Sequence, residues 1–392
     1  MKYNVGSLFA GVGGFCLGFL QAKIKNASYK ICFANEIDAY ACQTYRTNFS
    51  HPLLEGDIHK FLNPELATNL KEKEYYESKR HILFENRIDV LNGGFPCQAF
   101  SIAGEKRGFD DERGNLFLQI IELINQMDKH KGKPRVLFLE NVKNLLTHNG
   151  GNTYKTIKSK LEECGYKIVE KVLNTMDLTE LPQNRERIYI IGFLNDEDFQ
   201  RFTYFNEVDN LISKITKEQR VKQIESILDN EININDNYEF YYTKERYPKY
   251  FSDSPNDINL ARDINESHQF YQCRRGMYLR KNKSNVCPTL TANMGTGGHN
   301  VPLILVKDGI RKITPTEAFK LQGFPVGESY KLPSEFKGRK YPNSMLYKQA
   351  GNAVSVDVIR ILAEEILKVL DFNKFEYKLN NEDINLGALN QS

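Results

Sequence analysis

The sequence predicts an α/β protein: a Rossmann-like, nucleotide-binding sheet followed by a smaller, irregular second domain. Three observations predict it. An apolar stretch, Tyr3 to Phe9, runs into the glycine turn Ala10-Gly11-Val12-Gly13-Gly14 and then a helix ending near Gln21, the strand, turn and helix that open a nucleotide-binding unit. Strand-like apolar runs then alternate with helical ones as far as Phe205, the pattern of a sheet covered by helices. Past Phe205 the alternation stops and Asn, Asp and Tyr crowd residues 224–265, which marks a boundary.

The elements follow in order. Tyr29 to Asn35 is a second strand, and Glu36 at its end lies about twenty residues past the glycines, where a carboxylate reaches a ribose hydroxyl. A helix from Ala39 to Asn48 leads to Gly56-Asp57-Ile58, a second acidic turn. Residues 63–87, rich in Lys and Glu, read as an exposed helical connection. The apolar run from Asp89 ends in Gly93-Gly94-Phe95-Pro96-Cys97. Proline fixes the backbone just ahead of the thiol, so Cys97 is a candidate nucleophile, although an inert turn cysteine has the same local pattern. From Ser101 to Asn115, glycines alternate with charges that include Arg113, the composition of a mobile loop over a site.

After a helix over Leu116–Met127, the strand Val136–Leu139 ends in Glu140-Asn141-Val142, a carboxylate either in the ligand position or capping a helix. A helix over Tyr154–Cys164 and a strand over Lys167–Asn174 precede Gln183-Asn184-Arg185-Glu186-Arg187, which leads into the strand Ile188–Phe193. Parity puts Arg185 and Arg187 on one face. In the second domain a basic segment from Arg274 and Arg275 to Lys283 is interleaved with Tyr278 and suits phosphate contact, and the loop from Thr289 to His299 is glycine-rich enough for close backbone approach. After Gly351-Asn352 an apolar helix to Leu370 returns to the first domain. The division expected is 1–205 plus 345–392 against 206–344.

Composition narrows the class. With 392 residues, 41% hydrophobic and 26% charged, the chain is globular in type and not fibrous. A net charge of +3 leaves any anionic partner to a local basic patch. Seven scattered cysteines without metal-ligand spacing argue against a disulfide framework and a zinc site, so no metal is expected and a reducing cytosol is. The apolar stretch Val5–Leu20 carries glycines at 6, 11, 13, 14 and 18 and no small-x-small cleavage site. It reads as structure, and no membrane span is expected.

Taken jointly, these stretches resemble the DNA cytosine-5 methyltransferases, above all the compact bacterial enzymes of restriction–modification systems. The matches are Phe-Ala-Gly-x-Gly-Gly at Phe9–Gly14, Asn35-Glu36, Gly56-Asp57-Ile58, Gly-Phe-Pro-Cys-Gln-Ala-Phe-Ser at Gly94–Ser101, Arg113-Gly114, Glu140-Asn141-Val142 and Gln183-x-Arg185-x-Arg187. Thr289-Leu290, Arg311–Pro325 and Gly351-Asn352 follow in the family's order. The resemblance implies a Rossmann-like S-adenosylmethionine-dependent methyltransferase domain, with a target-recognition domain between the Gln-x-Arg-x-Arg motif and Thr-Leu. It implies double-stranded DNA as substrate, a monomer acting on it in the bacterial cytosol, and a cognate restriction endonuclease at the same site.

The roles it implies are specific. Carbon 5 of cytosine is a poor nucleophile, so the Cys97 thiolate adds to carbon 6 and the resulting enamine attacks the methyl of S-adenosylmethionine. Glu140 meets N3, Arg187 holds the carbonyl oxygen, and Arg185 supports the loop or a phosphate. The base is flipped out of the helix beneath the 102–114 lid. Cofactor contacts fall on Phe9, Ala10, Gly11, Gly13, Gly14, Glu36, Ile37, Asp57, Ile58, Pro96, Asn352 and Val354, and DNA contacts on Gln98, Ser101, Arg113, Arg274, Arg275, Thr289 and Leu290. Two positions depart from the common pattern: Ser7 stands where many members have Asp, and Ile37 where an aromatic often stacks on adenine. A nicotinamide-dependent oxidoreductase would share the glycine turn and Glu36, but hydride transfer needs no thiolate.

Overall fold

In the computed structural model the described residues are 1–95, 116–212, 215–229, 234–235, 237–274, 278–282, 285–295 and 300–389, with side chains described as far as 372. Pro96, Cys97, Gln98, Ser101, the 102–114 loop with Arg113, and Arg275 lie outside them.

An eight-stranded sheet carries the first unit, in the order β2-β3-β1-β5-β6-β8-β7, with β4 on the far side of β3. Its strands are β1 (Lys2–Leu8), β2 (Lys23–Ile24), β3 (Ala27–Glu36), β4 (Leu53–Glu55), β5 (Val90–Gly94), β6 (Val136–Val142), β7 (Lys167–Asn174) and β8 (Glu186–Phe193). β4, β3, β1, β5 and β6 are mutually parallel. They are near-continuous apolar runs because helices bury both faces. The chain leaves β1 toward β3 and then returns to β5 on the opposite side, so the carboxyl ends of β1 and β5 flank the switch point where open sheets hold ligands. β8 runs antiparallel between β6 and β7. That reversal brings the start of β8 beside the end of β6, and so puts the Gln-x-Arg-x-Arg segment on the ligand edge.

Two apolar clusters cover the faces. One gathers Val5, Phe15, Phe19, Tyr29, Phe138 and Ile191 with Ile359, Leu362 and Ile366 of the returning helix Val356–Leu389. The other joins Phe33, Leu91, Leu137 and Ile190 to Ile120, Leu123 and Ile157. Helix Tyr204–Leu211 gives Phe205 and Val208 to the first of these. The compositional boundary at 205/206 therefore falls inside an element packed on the sheet, since a change in polarity need not coincide with the end of a helix.

Within 206–344, where periodicity is weak, the structure contains a second sheet. It is antiparallel, ordered β10-β9-β11-β12, with β9 (Tyr271–Arg274), β10 (Tyr278–Lys281), β11 (Leu303–Val306) and β12 (Gly309–Lys312). Its Tyr271, Cys273, Leu303 and Ile310 pack on Tyr250, Ile258, Leu260 and Ile264. A further cluster ties this region to the first unit, because Phe270, Leu290, Phe319 and Tyr341 share it with Val12 and Ala41.

One buried ion pair braces this region from within. Arg311, fully buried, donates from both terminal nitrogens to Glu317 at 2.8 and 2.7 Å. Glu317 also accepts the Thr314 and Asp229 N–H groups. Removing one partner of such a pair strands the other charge. Glu317→Gln is expected to lower the unfolding free energy by about 3–5 kcal/mol, measured by urea denaturation; a loss below about 1 kcal/mol, the surface-pair level, would show the pair to be dispensable.

Candidate active site

The glycine turn after β1 is held in an unusual backbone. Phe9, Gly11 and Gly13 all have positive φ, 52°, 55° and 89°. At Gly13 a Cβ would also lie 2.2 Å from the Phe49 ring, so both conformation and space exclude a side chain there. Ala10 N donates to Asn35 O at 2.9 Å and Gly13 N to Ala10 O at 2.8 Å, tying the turn to β3. Glu36, at the end of β3, closes the arrangement: one carboxylate oxygen accepts Gly11 N–H at 2.7 Å, the other Ile37 and Asp38 N–H at 2.9 and 2.8 Å. Burial pushes its pKa up, and the three backbone donors offset part of that rise. Beside it Ile37 is 66% exposed, an apolar side chain left in water next to the turn.

The remaining expected cofactor residues divide. Asp57 caps helix Ile58–Leu62 by accepting His59 N–H at 2.9 Å and is half-buried. Ile58 is 1% exposed and packs in the core, so its side chain is not offered to a ligand: the first apolar residue of a capped helix points inward. Asn352, the last residue of helix Asn343–Asn352, is exposed. Val354 is buried over Gly14, where a Cβ would come within 2.8 Å of its Cγ2, which makes Val354 a packing residue.

Register brings the chemistry together. Gly94 of β5 pairs with Glu140 of β6, and Glu140 and Val142 face Tyr189 and Arg187 of β8. Arg187 Nε lies 3.0 Å from Glu140 Oε1, with side chains only 12% and 10% exposed. The charges touch, and among the described residues Glu140 Oε1 is a buried acceptor that no hydrogen bond satisfies. A Cβ on Gly94 would stand 3.4 Å from Glu140 Oε2, so the strand that leads to Cys97 runs directly against this carboxylate. Asn141, whose side chain had no role in the sequence reading, donates from Nδ2 to Phe95 O at 2.9 Å and accepts Val142 N–H. It pins the backbone immediately ahead of Pro96. The motif exposed the residue, but only strand register reveals its partner.

Of the two roles the resemblance implies for Arg185, support of the loop or of a phosphate, its contacts fit the first. It is 2% exposed and donates to the carbonyls of Leu290 (3.0 Å), Gly351 (3.3 Å) and Ala353 (2.7 Å). Burial, and then the neighbouring Arg187 charge, pull its pKa down to about 9, which still leaves it charged at neutral pH. Leu290, expected at the DNA surface, is 1% exposed in the core, and Thr289 donates to Asn184 O at 2.6 Å. A Thr-Leu pair beside a glycine loop reads as surface in sequence, but here it is packed against the Gln-x-Arg segment. Arg274 ends β9 half-buried. Among the described residues no cluster of His, Cys, Asp and Glu could hold a metal, no disulfide forms, and no helix is long and apolar enough to cross a membrane.

Comparison with known proteins agrees with this geometry. Residues 3–368 match the family model of the C-5 cytosine-specific DNA methylases. The chain is 43% identical over 368 residues to the Type II methyltransferase M.Bsp6I of Bacillus sp. (strain RFL6), covering 93% of this chain and 98% of that one. It is 31% identical over 377 residues to the Type II methyltransferase M.HhaI of Haemophilus parahaemolyticus, covering 94% and 95%. The crystal structure of S. pombe Dnmt2 methyltransferase shares the fold, with a TM-score of 0.60 at 18% identity over 95% of this chain and 100% of that one. The chain belongs to the C-5 cytosine-specific DNA methylase family and is an S-adenosylmethionine-dependent cytosine-5 DNA methyltransferase.

Proposed function

We propose that this enzyme methylates one cytosine within a defined double-stranded DNA sequence through a covalent Cys97 adduct, as the modification enzyme of a Type II restriction–modification system. The observation that carries the reading is the convergence of Gly94, Glu140 and Arg187 at one point of the sheet edge, where Phe95 hands the chain to Pro96-Cys97. A catalytically silent DNA-binding protein has no use for that combination.

The crevice residues fit S-adenosylmethionine. Ile37 offers an exposed apolar surface for adenine, Glu36 and Asp57 offer acceptors for ribose hydroxyls and the adenine amino group, and exposed Asn352 closes the far side. Bound there, the cofactor supplies an activated methyl group. The protein's own part is to make the base reactive. The Cys97 thiolate adds to carbon 6, its anionic form favoured by Arg187. Glu140 donates to N3 as charge enters the ring, and Arg187 holds the carbonyl oxygen. Once carbon 5 carries the methyl group, its proton passes to water acting as base, the electron pair restores the 5,6 double bond, and the Cys97 thiolate leaves carbon 6. A duplex hides all these atoms, so the base must be flipped out.

The Lys- and Arg-rich β9–β10 hairpin is the DNA-facing part of 206–344. The enzyme acts as a monomer in the bacterial cytosol, and an endonuclease of the same sequence specificity accompanies it. Bisulfite sequencing of DNA from cells expressing the protein is expected to show converted and protected cytosines sorted by one short sequence context. Uniform conversion at every cytosine, or protection without a shared context, would sink the proposal.

A further inference from the structure

Arg185 is buried with its charge, and its terminal nitrogens serve backbone carbonyls from two distant segments: Leu290 on one side, Gly351 and Ala353 on the other. The second pair brackets Asn352. Gln183, on the same face, strengthens the junction, with Nε2 donating to Leu321 O at 2.8 Å and Oε1 accepting Leu290 N–H at 3.3 Å. Main-chain bonds from Cys287 to Pro182 and from Asn184 to Cys287, at 2.6 and 2.8 Å, run alongside. The two segments are in backbone contact as well: a Cβ on Gly351 would fall 2.2 Å from the carbonyl carbon and oxygen of Thr291, so only a glycine lets the two backbones pass this closely.

The helix that ends at Asn352 is tied to the cofactor crevice at a second point. Lys348 Nζ contacts Asp38 at 2.7 Å, and Asp38 N–H is one of the donors that orient Glu36. A continuous set of contacts thus runs from Glu36 through Asp38, Lys348 and the helix to Gly351, Arg185 and Leu290. A planar guanidinium with donors in a fixed fork suits such a joint, because it specifies the angle between the carbonyls it holds and not merely their distance.

We propose that Arg185 is a positioning residue that couples occupancy of the cofactor crevice to the placement of the buried 287–291 segment and, through it, of the second region that faces DNA. This rests on reading Glu36 and Asn352 as cofactor-facing and the second region as DNA-facing. Coupling of this kind is reciprocal: if DNA tightens cofactor binding by some factor, the cofactor tightens DNA binding by the same factor.

The test is titration calorimetry with S-adenosylhomocysteine, with and without a duplex carrying the site that methylation sequencing identifies. The wild-type protein is expected to bind S-adenosylhomocysteine about tenfold more tightly with DNA present. In Arg185→Lys that enhancement is expected to fall below about twofold, while affinity in the absence of DNA changes less than about threefold. A role confined to holding the fold would instead lower the melting temperature and leave the enhancement intact, and that result overturns the inference. Should Arg185→Lys not fold, Lys348→Met decides. It breaks the other end through a side chain that is 40% exposed, an exposed pair worth little to stability. It is expected to reduce the enhancement at least about threefold, and full enhancement would overturn the inference. Absence of S-adenosylhomocysteine binding in the wild-type protein would bring down the reading of the crevice beneath it.

Discussion

Cys97→Ser is expected to slow methyl transfer by at least about 10,000-fold while leaving DNA and cofactor affinity within about threefold of wild type. A serine hydroxyl is scarcely ionised at neutral pH and is a poor nucleophile toward a conjugated ring, whereas a thiolate is already available when a cation stands nearby. The surrounding frame does not depend on the sulfur: Phe95 is held by Asn141 and buried against Phe117 with ring centroids 5.7 Å apart. Binding and chemistry therefore separate in this variant. Incorporation of labelled methyl into DNA measures the second and a gel shift the first. A variant that retains more than about one hundredth of the wild-type rate would remove Cys97 from the mechanism.

Glu140→Gln is expected to lower turnover by about 100- to 10,000-fold, the range of a lost general acid. The substitution preserves shape beside Gly94 and Arg187 but leaves an amide that cannot deliver a proton to N3. It also removes the only carboxylate drawn into contact with Arg187 among the described residues, leaving that guanidinium facing the cleft without its counter-charge. Melting temperature should be recorded alongside single-turnover rates. A large drop in rate with little change in melting temperature supports the assignment, and an unchanged rate excludes it.

Much of the site was legible in residue order because short-range grammar governs it. A strand running into glycines needs positive φ, and Gly11 and Gly13 adopt it. A carboxylate after the next strand reaches back to the turn, and Glu36 does so. What was misjudged lies where distant segments meet. Leu290, flanked by a glycine loop, reads as a surface residue, yet it is buried against the segment of Arg185, and of the two roles open to Arg185 only contact between distant segments selects the support of backbone carbonyls. Ile58 and Val354 look ligand-facing by proximity to a motif, but helix phase and the packing of Gly14 turn them inward. The second sheet is not legible in the sequence because four-residue strands separated by polar loops carry almost no periodic signal.

By itself the sequence determined the nucleotide-binding α/β class and the order of its motifs, and it singled out Cys97, Glu140, Arg185 and Arg187 as candidates, since each follows from periods and turns a few residues long. Only the tertiary structure decided which arginine meets the carboxylate and which becomes the internal joint. Parity puts Arg185 and Arg187 on one face, and parity alone cannot separate them. The antiparallel insertion of β8 between β6 and β7 does, setting Arg187 within reach of Glu140 and leaving Arg185 against the end of helix Asn343–Asn352 and the 287–291 segment, where burial requires its donors to find carbonyls.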